Sequence, residues 1–372
     1  MKNKIWLSSP HLTGEEQKYV KEAFDTNWVA PLGPNVNGLE KDICDFTGAK
    51  ACSALSSGSA AIHLALIMLG IEQDDEVLCS SFTFSATANP IRYQKAAPVF
   101  IDSERETWNM DPELLEAAIK DRIAKGKKPK AILLVHLYGM PAKMKEIMAI
   151  SEKYEIPLIE DAAEAMGAFY ENKHMGTFGE LGVFSFNGNK IITTSGGGAL
   201  ISNHPDYCKK ATFLATQARD EAPHYQHSEI GYNYRMSNIV AGIGRGQMEV
   251  LKDRVAARRR NFEFYKKAFE NLPIEFVEEP EGFYANRWLT TILTDSYTMR
   301  EKIRLALEKE NIESRPLWKP MHMQPVFEAF PKYTNGVSED LFERGLCLPS
   351  GSNLREEDFE RVVAIVKEVL TF

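Results

Sequence analysis

The sequence predicts an α/β protein of two domains: a large one, residues 1–245, on a mostly parallel seven-stranded sheet, and a smaller C-terminal α+β domain, residues 246–372. Three observations predict it. A chain of 372 residues with 44% hydrophobic and 26% charged composition is too long for one simple core and comfortable as two domains. From about Lys50 to Ser202, short apolar runs alternate with longer segments of helical period, the pattern of parallel strands joined by helices. After Met236 the texture changes to a long charged helical pattern, followed by mixed strands and helices.

In chain order the expected strands are Ala51 to Leu55, Glu76 to Cys79, Ala97 to Ile101, Ala131 to His136, Pro157 to Ile159, Gly182 to Phe186 and Ala199 to Ile201. Gly, Pro, Ser or charged residues bound each of them. Between them, Ala60 to Leu69, Pro112 to Ile123 and Ala142 to Tyr154 space apolar residues three or four apart, as amphipathic helices do. Val240 to Phe269 reads as one long helix that could act as a rigid strut, with the domain boundary inside it. The second domain holds Arg287 to Leu293, Thr298 to Asn311 and Glu356 to Leu370. No internal repeat or low-complexity tract interrupts the pattern.

The charge balance, 44 Lys plus Arg against 52 Asp plus Glu, is net −8 and offers no large positive field to nucleic acid or an anionic membrane. Any phosphate must therefore be captured locally. The run Arg258, Arg259, Arg260 shares its helical segment with Glu249, Asp253, Glu263 and Glu270, so a solvated helix face is expected rather than a nucleic-acid patch. Cys44, Cys52, Cys79, Cys208 and Cys347 form no C-x-x-C pair and suit buried thiols in a reducing compartment. No stretch has the length of a bilayer span, and Met1 to Pro10 has no apolar run behind its two lysines, so a cytoplasmic protein is expected.

Three short segments carry chemistry. Ser56, Ser57, Gly58, Ser59, Ala60, Ala61 follow an apolar run and open a helix; small residues, hydroxyls and the helix N-terminus together suit a phosphate, and helix capping is the plainer reading. Pro157, Leu158, Ile159 lead into Glu160 and Asp161, a carboxylate at the carboxyl end of a parallel strand, where open α/β sheets present ligand groups. Beside a heterocyclic nitrogen Asp161 would favour the protonated ring, and on its own it could N-cap a helix. Third, Phe184 to Asn189 lead to Lys190, then Ile191, Ile192, Thr193, Thr194, Ser195 and Gly196 to Gly198. Partial burial would make the Lys190 amine a nucleophile fit for Schiff-base chemistry; a surface lysine in a hairpin is the alternative.

Phosphate turn, Asp and Lys recur in this order in the aspartate-aminotransferase-like fold, fold type I of the pyridoxal phosphate (PLP) enzymes. With the stretches around Lys190, Gly231 to Ser237 and Asn27 to Pro34, nearly the whole chain resembles the DegT/StrS-like nucleotide-sugar aminotransferase family. The resemblance implies that Lys190 forms the Schiff base with pyridoxal 5'-phosphate and that Asp161 partners its pyridine nitrogen. It further implies Ser57, Gly58, Ser59 and Ser185 as phosphate ligands, and Phe84 against a face of the ring. Asn233, in a segment similar to the family loop that crosses a dimer interface, would reach the neighbour's phosphate, so the site would be shared in a homodimer.

Many relatives carry Gln or His where this chain has Glu164, implied here as a cofactor neighbour, and Thr-Gly-Glu-Gly-Gly where it has Thr194 to Gly198. These variants, with Asn187, Gly188 and Asn189, look most like the subgroup acting at C4 of UDP-linked 4-keto-6-deoxy-N-acetylhexosamines. The implied reaction transfers an amino group from L-glutamate to such a ketone in bacterial glycan assembly; GDP- or dTDP-linked ketones, C3 amination and a PLP-binding regulator are the alternatives. In related sugar dehydratases the lysine position is a histidine, so Lys190 argues against dehydration. The segment around His322 resembles the family's sugar-pocket lining, with Trp318 and Arg315 as further candidates, and His322 could equally be a packed loop residue. His224 and His227 have the H-x-x-H spacing without the further ligands of a metal site.

Overall fold

The computed structural model describes residues 3–371. Helices α1 (Glu16–Asp25) and α2 (Pro34–Thr47) precede the alternating region, which runs β1 (Ala51–Leu55), α3 (Gly58–Met68), β2 (Glu76–Ser80), α4 (Ser85–Tyr93), β3 (Ala97–Ile101), α5 (Pro112–Ala124), β4 (Ala131–Val135), α6 (Met144–Tyr154) and β5 (Leu158–Asp161). A short hairpin, β6 (Phe169–Tyr170) and β7 (Lys173–His174), leads to β8 (Leu181–Ser185), β9 (Gly198–Ser202), α7 (Pro205–Ala215), α8 (Asn238–Met248) and α9 (Leu251–Ala268). The rest comprises β10 (Glu275–Phe276), β11 (Phe283–Tyr284), β12 (Thr290–Leu293), α10 (Tyr297–Lys309), β13 (Arg315–Pro316), β14 (Lys332–Tyr333), α11 (Val337–Arg344), β15 (Gly345–Leu348) and α12 (Glu356–Thr371).

All seven expected strands lie in one sheet, in the order β1-β9-β8-β5-β4-β2-β3. An eighth, β14, joins parallel to β3 from the C-terminal half of the chain. The expected count of seven is thus one short: a two-residue strand is below the length at which alternation can be read. Only β9 runs antiparallel, against β1 and β8, so β1 points the same way as β8 and the other strands. Two apolar clusters cover the two faces, with Leu78, Ile132 and Phe184 on one and Val77, Leu133 and Val183 on the other. Burial on both faces is why these strands read as near-continuous apolar runs.

The strut expected over Val240 to Phe269 is two helices, broken at Glu249 and Val250. The first packs on α1 and α2, the second against β12 and α12. Glycines make the first contact possible: a Cβ on Gly246 would lie 2.7 Å from the backbone N of Glu16, and one on Gly244 2.9 Å from Leu39. A straight continuation could not serve both partners. The C-terminal part has its own antiparallel sheet, β10-β12-β15-β13, covered by α9, α10 and α12. Ile5 bridges to Ile312 and packs in that same cluster, although the sequence reading groups residues 1–245 together.

Behind β5, buried Glu160 accepts hydrogen bonds from the backbone N–H groups of Gly176, Phe178 and Gly179 at 2.6–2.8 Å and stands 2.9 Å from His136 Nε2. Nearby His174 donates from Nδ1 to Met175 O and accepts the Gly167 N–H at Nε2, 2.8 Å, so the ring has no acceptor for a second proton. Burial pushes its pKa down to about 4. A depressed folded pKa contributes stability that is present above the unfolded value, near 6.5, and lost as pH falls through the folded one. Urea unfolding of wild type should therefore show about 3 kcal/mol less stability at pH 4 than at pH 7 from this group alone. His174→Gln, which can still accept the Gly167 N–H, should remove most of that slope; an unchanged slope would exclude His174 as its source.

Candidate active site

The carboxyl ends of β1, β5 and β8 face one cavity of about 820 Å³. After β1 the chain turns through Ser57, whose extended backbone lets its Oγ accept the Ala60 N–H at 3.0 Å and cap α3. Capping and cavity lining, alternatives in the sequence, are both true of this serine. Ser185, at the end of β8, completes a corner of three hydroxyls with Ser57 and Ser59 at a helix N-terminus. At Gly198 the backbones are too close for a side chain, since a Cβ there would lie 2.4 Å from the carbonyl carbon of Ser57, and a Cβ on Gly58 would fit tightly, 3.2 Å from Ser185 Cβ.

Asp161 ends β5, buried to 5% exposure. Its Oδ2 accepts from Thr87 Oγ1 at 2.7 Å and its Oδ1 from the Ala163 N–H at 3.1 Å. Burial raises its pKa against these hydrogen bonds and the attraction of Lys190. No helix follows it, which removes the N-cap alternative. A carboxylate in this position is best satisfied by a cation that enters from the cavity.

Lys190 sits in the turn after β8 with its side chain 12% exposed, so it is not a solvated hairpin lysine. Its Nζ lies 4.2 Å from the centroid of Trp288 and 3.4 Å from Glu164 Oε1. Trp288 Nε1 and Ser8 Oγ both donate to Asn189 O at 2.7 Å and clamp the turn. Glu164 is itself buried, its Oε2 accepting the Tyr138 N–H at 2.7 Å. Burial pushes its pKa up to about 7 despite the lysine beside it.

An aromatic wall faces these groups. Phe84, 55% exposed at the start of α4, lies 5.6 Å from Trp318, which lies 5.1 Å from Tyr138. Arg315 is on the rim, paired with Glu313 at 2.9 Å. His322 is not on the cavity wall: it is buried between Ser81 Oγ, 2.6 Å away, and Glu339 Oε1, 3.0 Å, where it ties the loop after β2 to α11. Asn233 is exposed on a loop bridged to Thr216 and lines no part of this chain's cavity. A larger cavity, about 1050 Å³, lies between α2, α8 and β11; its Arg245 is paired with Asp42 and its Tyr19 with Glu249, and it contains none of the chemical groups above.

Sequence reasoning missed Trp288, Thr87 and Tyr138. Thr87 had a faint signal, its spacing of four from Thr83, to which it is hydrogen-bonded at 2.7 Å on the first turn of α4. Trp288 reaches the site from the far half of the chain and had none.

Residues 10–367 match the model of the DegT/DnrJ/EryC1/StrS aminotransferase family, and the chain belongs to that family. It is 54% identical over 371 residues to EpsN of Bacillus subtilis, named provisionally as a pyridoxal phosphate-dependent aminotransferase, with 98% of this chain and 96% of that one covered. It is 37% identical to the GDP-perosamine synthase of Caulobacter vibrioides, covering 99% and 98%. The crystal structure of a DegT DnrJ EryC1 StrS aminotransferase from Brucella abortus superposes with a TM-score of 0.91 at 29% identity, covering 96% of each chain. The cofactor of these aminotransferases is pyridoxal phosphate. The site fits it: a hydroxyl-lined corner at a helix N-terminus suits the phosphate, a buried carboxylate has no salt bridge within 4 Å among the described residues, and an enclosed lysine lies beside them.

The close approach at Gly198 should be felt in cofactor binding. Gly198→Ala, whose methyl must displace the Ser57 backbone, is expected to raise the Kd for pyridoxal phosphate tenfold or more in an absorbance titration, about 1.4 kcal/mol. Gly188→Ala in the lysine turn, with nothing within 4 Å of the added carbon, should leave it unchanged. Equal effects of the two would show that the crowding at Gly198 is not what shapes the corner.

Proposed function

We propose that this chain transfers the amino group of L-glutamate to the C4 ketone of a UDP-linked 4-keto-6-deoxy-N-acetylhexosamine, giving a 4-amino sugar nucleotide. The observation that carries the reading is the enclosed amine of Lys190, held at the mouth of the sheet beside Asp161 and Glu164 in a cavity with an aromatic wall. When bound, pyridoxal phosphate supplies a carbonyl that bonds to amines and a ring that takes up the electrons released when the donor loses its α proton. Ser57, Ser59, Ser185 and the start of α3 hold the phosphate. Asp161, oriented by Thr87 and the Ala163 N–H, keeps the ring nitrogen protonated.

Lys190 Nζ takes the proton from the donor's α carbon and, in the return half, gives one to C4 of the sugar. General acid/base transfer of this kind typically contributes about 10²- to 10⁴-fold. Trp288 and Trp318 line the cavity around the amine, with Lys190 Nζ 4.2 Å from the Trp288 ring centroid. Phe84, Trp318 and Arg315 are the groups placed to meet the sugar nucleotide. Asn233, which is exposed and lines no part of its own cavity, is assigned to the phosphate of a second protomer in a homodimer. A GDP-linked ketone is the second reading, favoured by the 37% identity to a GDP-perosamine synthase.

Borohydride reduction of the yellow holoprotein should fix the cofactor on Lys190 by peptide mapping; an adduct on another lysine would overturn the assignment. Glutamate alone should convert the holoprotein to its aminated form, and the UDP-linked ketone should return it to the starting spectrum. Return by a GDP- or dTDP-linked ketone alone would replace the substrate and keep the transaminase. Mixing Lys190→Ala with Asn233→Ala, each inactive and dimeric, should restore up to half of the sites in mixed dimers. No recovery after verified subunit exchange would place Asn233 outside the partner's site.

A further inference from the structure

The reaction as described employs Asp161 and Lys190 and leaves Glu164 without a task, although Glu164 is the carboxyl nearest the amine. Its position is held from several directions. Oε2 accepts the Tyr138 N–H at 2.7 Å, and the Glu164 carbonyl accepts from Asn286 Nδ2 at 2.7 Å. Tyr138 is in turn fixed by the Trp318 N–H donated to its hydroxyl, 3.0 Å, and by stacking 6.3 Å from Trp288, the ring over which Lys190 Nζ lies. Oε1 is thereby left to Lys190 Nζ at 3.4 Å.

We propose that Glu164 is a catalytic residue that holds the proton of Lys190: its carboxylate takes a proton from Nζ as the amine becomes a nucleophile and returns it when the lysine is again an ammonium. One N–H bond breaks, leaving the electron pair on nitrogen, and one O–H bond forms on Oε1. The pair is neutral before and after, so the transfer moves no net charge into or out of a buried site, where exposing a lone charge would be costly. The groups facing Glu164 are Lys190 from the turn after β8, Asp161 from β5, the Tyr138 phenol and the Cys347 thiol on β15. Of these, Lys190 Nζ is the group hydrogen-bonded to Oε1, at 3.4 Å, and burial brings the carboxyl up to about 7.

The inference rests on Lys190 being the reacting amine, which the borohydride adduct reads separately. In cofactor-free protein, trace labelling of Lys190 by acetic anhydride should rise with pH in two stages for wild type and in one for Glu164→Gln, since a coupled pair titrates in two macroscopic steps. In the holoprotein, Glu164→Ala should slow the single-turnover reaction with glutamate about 10²-fold, and added acetate should restore part of the rate, more effectively than the less basic formate. A purely structural carboxyl would show no such dependence on added base. If Glu164→Ala does not fold, Glu164→Gln, which keeps an acceptor for the Tyr138 N–H, replaces it for the rate and should be as slow. A labelling profile unchanged by Glu164→Gln, a loss below about threefold, or a folded Glu164→Ala indifferent to both carboxylates overturns the proposal while leaving Lys190 in place.

Discussion

The site depends on one crossing of backbone. Gly198, the first residue of β9, is paired with Leu55 at the end of β1 and with Ser185 at the end of β8. Because β9 alone runs backwards, this residue brings the ends of two parallel strands to the same level, one on each side of it. The turn after Leu55 carries Ser57 to Ser59, and the loop after Ser185 carries Lys190 before returning through Thr194 N–H to Phe186 O at 2.9 Å. A side chain at 198 would have to occupy the place of the Ser57 backbone. The spacing between anion corner and amine is therefore set by sheet hydrogen bonds rather than by a flexible loop.

The electrostatics follow from that geometry. Asp161 and Glu164 are buried near one another with Lys190 as their common cation, and each carboxyl is pushed up by burial. With both carboxyls ionised, the wall would carry one negative charge more than Lys190 offsets. A protonated heterocycle placed against Asp161 would offset that excess. The hydroxyls around Ser57 lie at the start of α3, where the helix N-terminus favours an anion, and they line the same cavity as the two carboxyls.

The parts legible in the sequence were those whose chemistry is local. All seven long strands of the main sheet are visible as apolar runs because both faces of the sheet are covered, and the three chemical segments stand at the ends of such runs. Periodicity carried Val240 to Phe269 straight through Glu249 and Val250, since the break comes from two different packing partners and not from a Pro or a cap. The two-residue strands are too short to alternate. His322 was placed in the sugar pocket by likeness of segment, and what turns it away is a pair of contacts, Ser81 and Glu339, that lie 241 and 17 residues distant. Trp288 was illegible for the same reason: its role is created by where β12 docks.

That docking shows why the C-terminal part of the chain belongs to the site as much as the sheet does. Arg258 of α9, expected from sequence on a solvated face, is instead 1% exposed and sends its guanidinium to Trp288 O and to Ser8 Oγ, which lies at 2.9 Å, while Ser8 and Trp288 both donate to Asn189 O. Its neighbours are neutral acceptors, and burial pulls its pKa down to about 9. A guanidinium kept in this way costs stability that an apolar side chain would not, because desolvation outweighs what neutral acceptors return. What it supplies is five donors in one plane, enough to join the N-terminal segment and the strand before Trp288 at a single point. Both of those segments end on the turn that carries Lys190, so the second packing unit acts on the amine by fixing the backbone beneath it and the indole above it.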